Sequence, residues 1–397
     1  MTDLYYDPYN IEIDNDPYPV WKRMRDEEPA YYNEKHDFYA LTRFDDVEPA
    51  ERDTKTFISS HGTVLEVMQP EPLDTAQLMF LDPPEHPRLR ALVSRSFTPR
   101  RVELLQDRIR QLCTELLDRV EGQHRFDYVK EYASVLPALV ISSMLGVPEG
   151  DQEALRAMIN HGTHVAEDAV DVDYSNKVSS RPDDLDTYIR GQLAECRANP
   201  RDDMFTELAC AQITEDDGSL RHLTDSEAVD FGGLLYAAGT DTVAKLLGWA
   251  CVLLAQNPDQ RAELAADFSL LPNAIEETLR YEAPSPITCR WTTRDVEYHG
   301  VTIPANSKVV LVAASANRDE RHYPDPDRYD IHRAVTTHLS FAVGPHFCIG
   351  HALARMEARI ALEETLKRYP EWEVDTDAAV RLHTTMMRGY QEVPIFV

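Results

Sequence analysis

The sequence predicts a mainly α-helical protein with a small β portion, organised as a single domain over residues 1–397. Three observations carry that prediction. Helical periodicity dominates from Pro99 onward: RVELLQDRIRQLCTELLDRV has apolar residues at 102, 104, 105, 109, 112, 116 and 117, along one helical face. A long apolar run near the middle of the chain carries start and stop signals at its two ends. Strand-like alternation is confined to short pieces. A chain of this length buries about three quarters of its unfolded surface, enough for a sizeable core and an enclosed pocket.

Taken in order, Pro17 to Glu28 reads as a short helix, and AYYNEKHDFYALTR alternates around a polar turn as a hairpin does. The polar run DVDYSNKVSSRPDD (171–184) is either a lid or a passive connection. GGLLYAAGTDTVAKLLGWACVLLAQNP forms the middle and end of a long helix, with a capping box at Thr224-x-x-Glu227 and a stop at Asn257-Pro258. About 30 residues at 1.5 Å each span about 45 Å, enough to cross the domain. VEYHGVTIPANSKVVLVAA and the C-terminal end return to strand-like patterns, and no repeat or interdomain linker intervenes.

With 40 Lys+Arg against 69 Asp+Glu, the net charge of −29 argues against nucleic acid and anionic membrane as main partners. The six cysteines form no CxxC pair, and the sequence opens MTDLYYDPYN, without the basic and apolar regions of a leader. Both features predict reduced thiols in a cytoplasmic protein. The longest apolar stretch, around Leu136 to Val147, is interrupted by Pro137, Ser142 and Ser143 and is too short to span a bilayer, so no membrane span is expected.

The stretch HLSFAVGPHFCIGHALARMEARIALEETLKRYP (338–370) concentrates the chemistry. Gly344 and Gly350 bracket Cys348, Pro345 stiffens the turn, and Ile349, Ala352, Leu353, Met356 and Ile360 mark one buried helix face. The thiol therefore sits at a helix N-terminus, where free amides and the dipole lower its pKa and favour the thiolate that a metal ligand requires. A structural zinc site needs four ligands, and only His346 lies close to Cys348. A buried structural cysteine leaves the glycines and Phe341 unexplained. In the long helix, Ala238-Gly239-Thr240-Asp241-Thr242 is a poor helix sequence flanked by apolar residues, so these polar groups need partners in the interior.

Phe341, Gly344, His346, Cys348 and Gly350 realise F-x-x-G-x-H-x-C-x-G, which resembles the cysteine-ligand loop of the haem-thiolate cytochromes P450. Ala342 departs from the pattern, since bacterial members commonly have glycine there. Ala238-Gly239-x-Asp241-Thr242 resembles the oxygen-activation motif of the same family, with Val243 where many relatives have a second Thr or Ser. Glu277-x-x-Arg280 resembles the family's ExxR pair, and Arg328 in YPDPDRYDIHR stands as the third member of a buried structural network. His86 and Arg90 in LDPPEHPRLRALVSRSF, Arg290 after APSPIT, and His338 match the positions that hold the two haem propionates. The resemblance runs from about Pro17 to the C-terminus.

The resemblance implies a cytochrome P450 fold with haem b (iron protoporphyrin IX) sandwiched between the long central helix and the cysteine-loop helix. Cys348 would be the axial iron ligand, Phe341 would shield its sulfur, and Gly350 would let the backbone approach the porphyrin. Gly239, beside Ala238, would make room for O2, while Thr242 and Asp241 would manage the protons that O–O cleavage consumes. The activity implied is a monooxygenase that places one O2-derived oxygen atom on a hydrophobic small molecule of terpenoid, steroid or fatty-acyl type. Electrons would come from a separate ferredoxin and its NAD(P)H-dependent reductase, and the enzyme would be a monomer. A peroxygenase or a haem-based gas sensor on the same fold is the alternative, and neither needs the Asp241–Thr242 pair.

Substrate contacts in the family come from dispersed segments. Here these hold Val64, Leu65, Val67 and Met68, then Met79 and Phe80, and Leu234, Leu235 and Ala238 on the central helix. Pro286 and Ile287 follow the ExxR helix, and Met386 and Met387 lie near the end. Most are apolar, as a pocket for such substrates requires. Arg88, Arg95, Arg100, Arg101, His351, Arg355 and Arg359 form either a positive patch that steers an acidic ferredoxin or an ordinary scatter on amphipathic helices.

Overall fold

Helical periodicity becomes helix over most of the chain in the computed structural model, which describes residues 3–160, 183–215 and 217–397. Its longer helices are α1 (Tyr18–Glu27), α2 (Phe44–Arg52), α3 (Glu85–Ser94), α4 (Gln106–Asp118), α5 (Val135–Leu145), α6 (Glu149–Asn160), α7 (Asp183–Ala198), α8 (Asp225–Gln256), α9 (Pro258–Ala266), α10 (Leu271–Tyr281) and α11 (His351–Arg368). The candidate lid falls almost wholly outside the described residues; only its last two, Asp183 and Asp184, are described, and they open α7.

The periodic run from 102 to 117 is not one helix. A short separate helix, Pro99–Glu103, precedes α4, and Leu104 lies exposed between them. Periodicity does not reveal the break because both pieces keep their apolar side against α11.

α8 is the axis of the molecule. Its capping box forms as the sequence predicts: the Glu227 amide donates to Thr224 Oγ1 at 3.2 Å, and the Thr224 amide donates to Glu227 Oε2 at 2.7 Å. By length and composition α8, rather than Leu136–Val147, could cross a bilayer, yet 72% of its most apolar window is buried inside the protein. Enclosure by other helices accounts for that composition. The helix runs unbroken through Ala238–Thr242, with the Thr240 and Thr242 hydroxyls donating back to Tyr236 O at 2.8 Å and Ala238 O at 2.9 Å. Gly239 has a packing reason to be glycine, because a Cβ there would lie 3.2 Å from Ile141 Cγ1 on α5.

The β portion is small. The hairpin β1 (Ala30–Asn33) and β2 (Phe38–Leu41) joins β3 (Phe57–Ile58), β4 (Thr288–Thr292) and β5 (Lys308–Leu311) in a sheet of order β1-β2-β5-β4-β3. β5 runs parallel to β2 and antiparallel to β4, which carries Arg290 on its inner register. A second hairpin, β6 (Val380–His383) and β7 (Arg388–Glu392), packs on α8.

Behind the site, Glu277 and Arg280 are both fully buried and doubly hydrogen-bonded. The third cation is Arg333, whose Nε donates to Glu277 Oε1 at 3.1 Å. Arg328, expected in that role, points outward and pairs with Asp330 at 3.4 Å. The segment around Asp330 sets the choice: the Asp330 amide donates to Glu277 Oε1 at 3.0 Å, which fixes the chain so that residue 333 and not 328 reaches inward.

Candidate active site

A cavity of about 780 Å³ lies between α8, the Cys348 loop and the start of α11. Cys348 lines one wall, with Phe341 and Gly350. The loop is closed by the Cys348 amide donating to Phe341 O at 2.8 Å. Gly344 takes a positive φ of 70°, and a Cβ there would press within 3.2 Å of Arg52 Cα on α2. Ala342 takes φ 53°, the left-handed region that costs a non-glycine residue about 1–2 kcal/mol, which explains why glycine suits that position. Gly350 is the N-cap of α11, and a Cβ there would project into open space lined by the cavity.

The electrostatics of the thiol differ from expectation. Burial raises the Cys348 pKa; the amides of Gly350 and His351 and the Arg90 and Arg355 charges pull it down without cancelling that rise. The helix N-terminus contributes in the predicted direction, but enclosure dominates. The buried face of α11 is also shifted from the expected one: Leu353, Glu357, Ala358, Ile360 and Ala361 are buried, while Ile349, Ala352 and Met356 are only partly so. Glu357, which no motif flagged, lines the cavity with Oε2 lacking a partner, and burial raises its pKa well above the carboxylate range.

On the opposite wall lie Leu234, Leu235, Ala238, Gly239, Asp241 and Thr242 of α8. Val64, Met79, Ile287, Met386 and Met387 also line the cavity, as predicted for substrate contact. Leu65, Val67, Met68, Phe80 and Pro286 do not. Leu65 and Met68 pack into a separate cluster with Tyr6 and Trp21, and the tight turn Leu78–Phe80 presents Leu78 in place of Phe80. The Pro286 carbonyl is held by the Ala314 amide at 3.0 Å, away from the cavity.

One end of the cavity is polar. His86, Arg90, Arg290 and His346 converge there. His86 is buried with neither ring nitrogen bonded, its ring centroid 4.2 Å from that of His346. Burial, reinforced by Arg90, pushes its pKa down to about 4; burial and Arg290 push His346 down to about 2. Arg290 is buried with Nε unpartnered, while Nη1 donates to Thr288 Oγ1 at 2.9 Å and Cys289 O at 2.7 Å. Arg90 donates to Phe347 O and its charge acts on Cys348. His338 is not among these groups: its Nε2 lies 3.2 Å from Glu276 Oε2, in an ion cluster completed by Arg355. Although burial opposes it, hydrogen bonds from Arg355 and His338 hold Glu276 down at about 2, so this carboxylate captures the histidine.

These features fit a haem. Orphaned buried donors on His86 and Arg290 suit anionic carboxylates, and Gly350 leaves a surface that a flat ring can approach. Cys348 supplies the single thiol that an axial ligand needs. Comparison with known proteins agrees. The sequence profile of the family described as Cytochrome P450 matches residues 30–268 and 261–391. The chain is 37% identical over 398 residues to the protein designated cytochrome P450 123 in Mycobacterium tuberculosis, covering 100% of this chain and 97% of that one. Among solved structures, a mutant of P450 EryK in complex with erythromycin B superposes with a TM-score of 0.87 at 32% identity, covering 96% of each chain. CYP109E1 from Bacillus megaterium in complex with testosterone gives 0.86 at 29% identity, covering 97% and 98%. Matched along its length in sequence and in backbone, the chain belongs to the cytochrome P450 family and is an oxidoreductase of its monooxygenase class.

Proposed function

We propose that this chain is a single catalytic unit that binds haem b and oxygenates a hydrophobic small molecule of terpenoid, steroid or fatty-acyl type. The observation that carries the reading is one cavity with Cys348 in one wall and Asp241–Thr242 in the other. The haem, when bound, supplies O2 activation; the protein's share is to ligate, orient and manage protons. Cys348 would hold the iron, and His86, Arg90 and Arg290 would hold the carboxylates. The Thr242 hydroxyl, with Asp241 beside it at the cavity wall, would position the protons that the reaction consumes. The apolar residues Val64, Met79, Leu234, Ile287 and the two methionines would orient the substrate, the methionines as an adaptable wall. Relatives in complex with erythromycin B and with testosterone support a bulky, largely apolar ligand.

We read the electron donor as a separate ferredoxin with its NAD(P)H-dependent reductase. Ion pairing separates the arginines that would form such a basic patch. Arg88, Arg101, Arg355 and Arg359 pair with Glu215, Glu207, Glu276 and Glu363, whereas Arg95 and Arg100 are exposed and form no ion pair among the described residues. Arg100 is therefore the better test of docking than Arg355, whose loss would also free Glu276. The six free cysteines suit a reducing, cytoplasmic compartment.

The decisive experiment is the absorption spectrum of the reduced, carbon-monoxide-treated protein, followed by titration of the ferric protein with a panel of apolar small molecules. A red-shifted band typical of thiolate ligation, and Soret shifts with the large apolar ligands, are expected. A protein without that band does not work as proposed. Arg100→Glu should slow ferredoxin-supported turnover and spare peroxide-supported turnover; a variant in which both rates match those of wild type would remove the docking surface.

A further inference from the structure

Glu51 is an acid at the polar end of the cavity that no sequence motif singles out. It lies on the last turn of α2, is 1% exposed and lines the cavity. Its Oε2 accepts a hydrogen bond from the Val343 amide of the cysteine loop at 2.8 Å. Its Oε1 is buried with no partner. The cysteine loop packs closely on this turn of α2: a Cβ on Gly344 would lie 3.2 Å from Arg52 Cα and 3.4 Å from the Glu51 backbone oxygen. The same polar end of the cavity holds further unpartnered groups: Arg290 Nε, a donor, and the two ring nitrogens of His86, one donor and one acceptor in the neutral ring.

A charged carboxylate at this place would face the negative ends of the cofactor. Two like charges in a buried site do not both stay ionised, so one of them takes up a proton. A protonated carboxyl is a donor, and the unpartnered Oε1 is the atom available to carry the hydrogen. We propose that Glu51 is a further cofactor-binding residue that works as a neutral acid, its Oε1 donating a hydrogen bond to a haem carboxylate at the Arg290 end of the cavity. Loss of that proton turns the same residue from a clasp into a repelling charge, so retention of the cofactor weakens as pH rises.

The surroundings agree on direction. Burial raises the Glu51 pKa to about 7, against the pull of Arg290 on β4 and of the Val343 amide; on its own helix Arg52 lowers it and Glu48 raises it. From α3 and the cysteine loop, His86 and His346 face the same end and are held neutral at this pH. Asp82 acts on Arg290 from the loop before α3. An added carboxylate beside Glu51 pushes in the same direction as burial and further favours the neutral form.

This inference rests on the haem-binding reading above, and the experiment separates the two. Haem release from the purified holoprotein to excess apomyoglobin is followed in the Soret region between roughly pH 6 and pH 9, the range that spans the titration. Wild type, Glu51→Gln and Glu51→Met are compared, with circular dichroism to confirm folding. Glu51→Gln keeps an acceptor for Val343 and a permanent donor toward the cavity; Glu51→Met keeps the volume and loses both. Wild type should release haem about tenfold faster at the alkaline end, equivalent to one pKa unit of lost preference. Glu51→Gln should release slowly at every pH, and Glu51→Met faster than Glu51→Gln at low pH. A wild-type rate that is flat with pH, a Gln variant with the wild-type pH dependence, or a Met variant as retentive as Gln would each overturn the role of Glu51. A wild-type protein that takes up no haem at any pH would overturn the cofactor reading as well.

Discussion

Glu277 and Arg280 meet across one turn of α10 through two parallel hydrogen bonds, Nε to Oε2 at 2.7 Å and Nη2 to Oε1 at 2.8 Å, with both side chains closed to water. The remaining Arg280 donor reaches Asn317 O at 3.0 Å and Pro326 O at 2.9 Å, so the pair ties α10 to the segment that leads into the cysteine loop. Removing either partner leaves a buried charge uncompensated. Glu277→Ala or Arg280→Ala should each cost about 3–5 kcal/mol. Arg333→Ala should also lower the urea midpoint, while Arg328→Ala should stay within about 0.5 kcal/mol of wild type. If Arg328 proved the costlier of the two arginines, the assignment of the third arm would fail.

Ala342 offers a gain. Its left-handed backbone is one that glycine adopts freely, so Ala342→Gly should raise stability by about 1 kcal/mol, the strain removed being partly offset by a freer unfolded chain. Thermal unfolding of the two proteins checks it; a loss of stability would mean that the Ala342 methyl group packs usefully.

Lys245 and Gly389 make a coupled pair. Lys245 is buried on α8 one turn after Asp241, and its Nζ donates to Tyr390 O at 3.1 Å. A Cβ on Gly389 would lie 2.8 Å from the stem of that lysine. Gly389→Ala should therefore destabilise by about 1–3 kcal/mol through overpacking. In a Lys245→Ala background the penalty should largely vanish, and additive effects in the double-mutant cycle would show that the two do not touch.

Acid should weaken the fold through His86. Its folded pKa of about 4 lies below the ordinary 6.5, because burial first and Arg90 second disfavour the charged ring. As pH falls the unfolded chain binds this proton before the folded one does. Stability present above about 6.5 is thus lost progressively down to about 4. The melting temperature of cofactor-free protein should fall across that window, and His86→Gln should flatten part of the slope. An unchanged slope would place the titration elsewhere.

Thr242→Val keeps the shape of the helix and removes only the hydroxyl that now donates to Ala238 O. It should bind haem and ligand as wild type does, yet divert reducing equivalents to hydrogen peroxide. NAD(P)H consumed, product formed and peroxide released, measured together, decide the point; full coupling in the variant would remove Thr242 from proton handling.

Much of this protein is determined within short stretches of its sequence. The α8 capping box, the hairpin at 30–41 and the placing of Cys348 at a helix start depend on contacts within a turn or two, where residue type and backbone geometry suffice. The two motifs that face each other across the cavity were legible for the same reason. What tertiary structure alone decided is which of several similar side chains turns inward. Arg333 in place of Arg328, Glu276 drawing His338 aside, Leu78 in place of Phe80, and the acids Glu51 and Glu357 at the cavity wall all depend on how distant segments meet. Burial, too, is a property of the whole molecule: it outweighs the helix end at Cys348, since the cost of enclosing a charge is set by everything packed around it.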